Sequence, residues 1–108
     1  MVLEVTLIDV LPGRGDDFVA AYQLARPLIS GAPGCRSVRL KRGVESATRF
    51  ALFVEWDSVE AHEQNFRRTE RFAQWKATIG GALAQPPLAE FFTETPATTR
   101  TDSDFFTS

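Results

Sequence analysis

Residues 2–10 (VLEVTLIDV) are a run of apolar and β-branched residues bounded by Pro12-Gly13, which predicts a first strand. Over residues 16–30 a longer period appears. Phe18, Tyr22, Ala25 and Ile29 recur three or four positions apart, with Leu24 and Leu28 beside them, and predict a helix. Asp16 and Asp17 suit its start, where the helix dipole favours negative charge. Pro27 is expected to kink this helix or tighten its last turn, and the Gly31 to Gly34 stretch (GAPG) to end it.

Residues 35–43 (CRSVRLKRG) predict a second strand with outward charges. Residues 48–56 (TRFALFVEW) predict a third and more apolar one, joined to the second by a hairpin turn from Val44 to Ala47. Asp57 with Glu60 three positions on resembles a capping box. Val59, His62 and Phe66 then keep helical spacing. Thr69 can cap a further helical segment with Phe72, Trp75, Ile79 and Leu83 along one face, stopped by Gln85-Pro86-Pro87. Residues 88–94 alternate again and predict a last strand. From Thr95 the chain turns polar and rich in Ser and Thr, which defines a domain of residues 1–95 and a C-terminal tail of residues 96–108. Phe105 and Phe106 interrupt that tail as a candidate docking arm.

The element order strand, helix, strand, strand, helix, strand is the ferredoxin-like βαββαβ arrangement. This α+β fold is expected to place helices on one face of a four-stranded antiparallel sheet. In the third strand Phe50, Leu52, Val54 and Trp56 share one side while Ala51 and Phe53 point to the other. In the first, Leu3, Val5 and Leu7 oppose Val2, Ile8 and Val10. An antiparallel sheet with one wet face alternates apolar and polar. These two strands read as apolar on both faces, so a cover is expected on the second face. The simplest cover is another copy of the chain in a two-fold homodimer.

Composition sharpens that expectation. Nine Phe, two Trp and one Tyr in 108 residues are hard to hide in so small a body. The net charge of −2 lacks the basic surplus of a nucleic-acid binder. Cys35 is the only cysteine and His62 the only histidine, so no conventional metal site is expected within one chain. The first residues lack the pattern of a secretory signal, and no apolar run approaches the roughly 20 residues of a membrane span. A cytoplasmic protein without membrane association is the expectation.

Several stretches together resemble the antibiotic biosynthesis monooxygenase (ABM) family of the dimeric α+β barrel superfamily. They are Pro12-Gly13, Ala32-Pro33-Gly34-Cys35, the run Phe53-Val54-Glu55-Trp56-Asp57-Ser58-Val59-Glu60-Ala61-His62, and Glu70-Arg71-Phe72-Ala73-Gln74-Trp75. The resemblance covers residues 2–94. It implies a homodimer whose two sheets form a partial barrel, with a pocket in each subunit between sheet and helices. It also implies oxidation of phenolic or enolic compounds by molecular oxygen without metal or flavin. A related branch that degrades haem resembles a pattern with an Asn in the first strand and a His near Trp75-Lys76. Here the first strand offers Thr6, Leu7 and Ile8, and the later segment has no histidine.

Oxygenation without a cofactor needs an electron-rich small aromatic substrate, an apolar pocket, a base, and donors for the developing oxyanion. His62 is the candidate base, because imidazole exchanges protons near neutral pH. Tyr22 and Asn65 are candidate donors beside it. Trp75, Trp56, Phe66 and Phe72 are candidate pocket walls, and Arg49 a candidate anchor for an anionic substrate. No cofactor is expected. Arg67, Arg68 and Arg71 lie near Glu60, Glu63 and Glu70, so helical ion pairs are expected to absorb them. A binding or protective module of the same fold, without turnover, is the alternative. The two readings differ in whether the pocket is open beside His62 or plugged by aromatic side chains.

Overall fold

The structure, a computed structural model, describes residues 1–96, so the candidate arm at Phe105 and Phe106 lies outside the described residues. Four strands are formed, β1 (Val2–Asp9), β2 (Cys35–Arg42), β3 (Arg49–Trp56) and β4 (Leu88–Phe92). Helix α1 (Gly15–Ser30) connects β1 to β2. Between β3 and β4 come α2 (Val59–His62), a π-helical turn (Glu63–Arg67), α3 (Glu70–Ile79) and a 3₁₀ turn (Gly80–Ala82). The sheet is antiparallel throughout in the order β2-β3-β1-β4, the ferredoxin-like arrangement expected from the element order.

Pairing register decides which side chains share a face. Val54 opposite Glu4, Leu52 opposite Thr6 and Phe50 opposite Ile8 lie on the helix-covered side. Across the other edge of β1, Phe91 opposite Glu4 and Ala89 opposite Thr6 join them. Phe50, Leu52, Val54 and Trp56 are all buried, as their shared parity predicts. Both rows of β1 carry apolar side chains, as expected, but the inward one is mixed. Its inward row is Val2, Glu4, Thr6, Ile8 and Val10, with two polar side chains in the middle. The outward row of β1 is Leu3, Val5 and Leu7, beside Ala51 and Phe53 of β3 and Leu88 and Phe92 of β4. Leu88 is 66% exposed and Phe92 48% exposed, so this face carries uncovered apolar surface in the single chain.

Helix α1 closes one half of the inward face. Phe18 packs on Phe50 with ring centroids 4.8 Å apart, and Arg26 Nη2 donates to the Val38 carbonyl at 3.1 Å. Full burial of Trp56, Phe18, Phe50 and Ile8 contributes about 1.5–3 kcal/mol per side chain. The helix runs through Pro27, and the Gly31 N–H closes its end on the Pro27 carbonyl at 2.9 Å.

Three local expectations change. The cap of α2 is Ser58, whose hydroxyl accepts from the Ala61 N–H at 3.0 Å, while Asp57 instead pairs with Arg36. Thr69 precedes α3, but its hydroxyl turns back to donate to the Phe66 carbonyl at 2.8 Å and caps nothing. The last helix stops at Ile79, and Leu83 is extended, in a bridge with Val10. Gly34 fixes where α2 starts. Its φ of +91° disfavours any side chain, and a Cβ there would lie 2.7 Å from the Ala61 Cβ. Its carbonyl accepts the Asp57 N–H at 2.8 Å, which ties the head of β2 to the end of β3.

Candidate functional site

Over the β1–β4 half of the sheet the inward side chains are small where Thr6 pairs with Ala89. The helices bridge over this hollow and leave a cavity of about 530 Å³ between the sheet and α3. Its walls are Phe66, Phe72 and Trp75 from the helical side, with Ile8 and Leu52 beneath. This lies within the size of an ordinary small-molecule site. The cavity is open, not filled by its own rings.

The polar floor is a cluster the sequence pattern did not bring together. Glu4 is 6% exposed and His62 8% exposed, and both line the cavity with Thr6. Trp56 Nε1 donates to Glu4 Oε1 at 3.0 Å, and Thr6 Oγ1 donates to Glu4 Oε2. Both carboxylate oxygens thus accept, as suits an ionised side chain. His62 Nε2 stands 3.7 Å from Glu4 Oε1. The imidazole also packs edge-on against Phe91, centroids 4.9 Å apart, and against Trp56 at 5.3 Å. Burial among these rings pushes the His62 pKa below 6.5, and Arg67 lowers it further, while Glu4 and Glu63 pull it up. This favours the neutral imidazole, which can accept a proton, beside a carboxylate that stabilises the charged product.

Of the candidate residues, His62, Phe66, Phe72 and Trp75 converge on the cavity. Trp56 lies behind its floor, holding Glu4 through the indole N–H. The other three fall outside. Tyr22 is buried in the core, where it meets Trp75 edge-on at 6.2 Å, and does not line the cavity. Asn65 turns away, its Nδ2 donating to the Pro33 carbonyl at 2.8 Å. The π-helical turn causes this. The Arg68 N–H bonds five residues back to Glu63, so one extra residue enters the turn. Phe66 and Arg67 then follow His62 onto the cavity side. Arg49 is exposed at the far end of β3 and is held by Asp9 at 2.8 Å. The cations that do line the cavity are Arg67 and Lys76. Of the expected helical ion pairs only Arg68 with Glu63 forms, at 3.0 Å, and Arg71 instead reaches the Leu28 carbonyl.

A ferredoxin-like domain with an open aromatic cavity and a buried carboxylate–histidine floor is a small-molecule site built on a single sheet. Residues 1–78 match the profile of the antibiotic biosynthesis monooxygenase (ABM) family, and the chain belongs to that family. The Bacillus subtilis (strain 168) protein YczJ, described as uncharacterized, is 30% identical over 92 residues, spanning 85% of this chain and 97% of YczJ. A Bordetella bronchiseptica structure provisionally designated an antibiotic biosynthesis monooxygenase superposes with a TM-score of 0.83 at 36% identity, covering 88% of this chain and 97% of that one. SnoaB from Streptomyces nogalater, a cofactor-independent oxygenase, superposes with a TM-score of 0.76, covering 92% of this chain and 97% of SnoaB. At 14% identity it shares the fold alone. Among the described residues no helix is long and apolar enough to cross a membrane.

Proposed function

We propose that this chain is a cofactor-independent monooxygenase acting on a small aromatic or enolic compound, with His62 as the general base. The observation that carries this reading is a buried histidine beside Glu4 on the floor of an open aromatic cavity. A cavity open beside His62 favours turnover over the non-catalytic alternative, which calls for a plugged pocket or one that holds its ligand away from any base.

His62 Nε2 takes the proton of the substrate hydroxyl or enol, and Glu4 at 3.7 Å stabilises the imidazolium that results. The substrate anion gives an electron to molecular oxygen, and the two radicals combine at carbon to form a peroxide. For a substrate with a reactive CH₂ group, loss of water leaves a carbonyl. One oxygen atom stays on carbon, and the other departs with both hydrogens. Phe66, Phe72 and Trp75 supply stacking surfaces and keep bulk water from the anion. The uncovered outward face of β1, β3 and β4 supports assembly as a homodimer, with a second sheet as its cover.

Oxygen uptake on anthrone and hydroquinone substrates tests the catalytic reading. The expected result is uptake above the buffer rate, and a loss of about 100-fold or more in His62→Ala. No uptake above buffer, or an unchanged rate in the variant, overturns it.

A further inference from the structure

The cavity is chemically polarised. Its floor carries Glu4, Thr6 and His62, its walls are aromatic, and its exposed rim carries Arg67 and Lys76. These two cations share one ring. Arg67 Cζ lies 5.2 Å and Lys76 Nζ 5.4 Å from the centroid of Phe72. Among the described residues neither makes an ion pair. The carboxylate best placed by sequence to neutralise Arg67, Glu63, is committed to Arg68. A cation lying over a ring keeps its N–H donors free for an anion. Two like charges gathered on one ring without a counter-charge repel, and an anion between them relieves that repulsion. The π-helical turn places Arg67 here, since it carries residue 67 round to the side of His62. Arg67 is near enough to that imidazole to oppose its protonation.

We propose that the cavity takes an anionic aromatic ligand, a flat ring compound with an ionisable hydroxyl or enol at one end and a carboxylate at the other. The carboxylate sits between Arg67 and Lys76, the ring lies along Phe72 and Trp75, and the hydroxyl meets His62. Glu4 sets the orientation, because its buried charge repels a carboxylate from the floor. This names the substrate class for the site and rests on the cavity being where substrate binds.

The test is quenching of tryptophan fluorescence in the full chain by 6-hydroxy-2-naphthoate and by its uncharged methyl ester. The carboxylate is expected to bind about tenfold more tightly, the yield of two partly exposed charge pairs, with the preference shrinking as salt is added. The double variant Arg67→Gln, Lys76→Gln is expected to lose the preference, binding the carboxylate and the ester with equal affinity. His62→Gln is expected to keep it. Equal affinities in the unaltered protein, a preference that survives the double variant, or no binding of either compound overturns the proposal. A charge preference without oxygen uptake on any phenol sustains the ligand class and defeats the catalytic reading. Uptake on neutral phenols without a charge preference does the reverse.

Discussion

Glu4 is the side chain on which the floor of the cavity depends, and two substitutions separate its structural role from its charge. Leucine at position 4 removes both acceptors. The Trp56 indole N–H, 3.0 Å from Glu4 Oε1, then has no partner, and Trp56 is fully buried, so water does not replace it. An orphaned buried donor costs about 1–3 kcal/mol. The Thr6 hydroxyl is less exposed to this loss, since it lines the cavity and can turn to water. Relief of a buried charge offsets part of the cost. Replacing a whole ion pair by apolar groups is often neutral, but removing one member of a bonded set is not. Glu4→Leu is therefore expected to lose about 2 kcal/mol, a fall in Tm of roughly 4–8 °C for each kcal/mol in a domain of this size. Glu4→Gln keeps an acceptor for Trp56, and the Thr6 hydroxyl can reverse its role to receive the amide N–H, so its loss is expected to stay under about 1 kcal/mol. Urea unfolding at fixed protein concentration measures both. In activity, Glu4→Gln removes the charge that pulls the His62 pKa upward, so the acid limb of the rate profile moves to lower pH and the plateau rate falls. Equal destabilisation by Leu and Gln refutes the hydrogen-bond reasoning. An acid limb that stays put or moves to higher pH refutes the electrostatic reasoning.

The same histidine ties stability to pH. Its folded pKa lies below the unfolded value near 6.5, so between the two the unfolded chain binds more protons, and stability falls as pH drops through that window. The urea midpoint of the unaltered protein is expected to decline below pH 6.5 more steeply than that of His62→Gln, and parallel curves exclude this origin. On the outward face, Leu88→Asp and Phe92→Asp alter side chains already exposed in the single chain. They are expected to leave the far-ultraviolet circular dichroism intact while converting the proposed homodimer to monomer in light scattering at micromolar concentration. A monomer mass for the unaltered protein, or a dimer that survives both changes, refutes the assembly.

Periodicity carries far where one face of an element is uniformly apolar. The row Phe50, Leu52, Val54 and Trp56 settles which side of β3 is inside, and Phe18, Tyr22, Ala25 and Ile29 do the same for α1. Strand β1 is different because both of its rows contain apolar residues. Pattern alone leaves open which row faces the core, and pairing with β3 decides it, since Glu4 falls opposite Val54 and Thr6 opposite Leu52. Register is a property of two strands and their turn, so it is not legible in one. The π-helical turn escapes for a related reason. Helical spacing of four predicts Phe66 on the face of His62, which is correct. It gives no sign of the inserted residue that turns Asn65 away and Arg67 inward. Both Glu4 and Arg67 fall on the cavity, where local pattern alone does not place them. A buried carboxylate is costly for stability alone, and such groups persist where binding or chemistry uses them. The burial of Glu4 on the inward row, 3.7 Å from His62, therefore supports the proposed centre on the cavity floor more directly than any single motif along the chain.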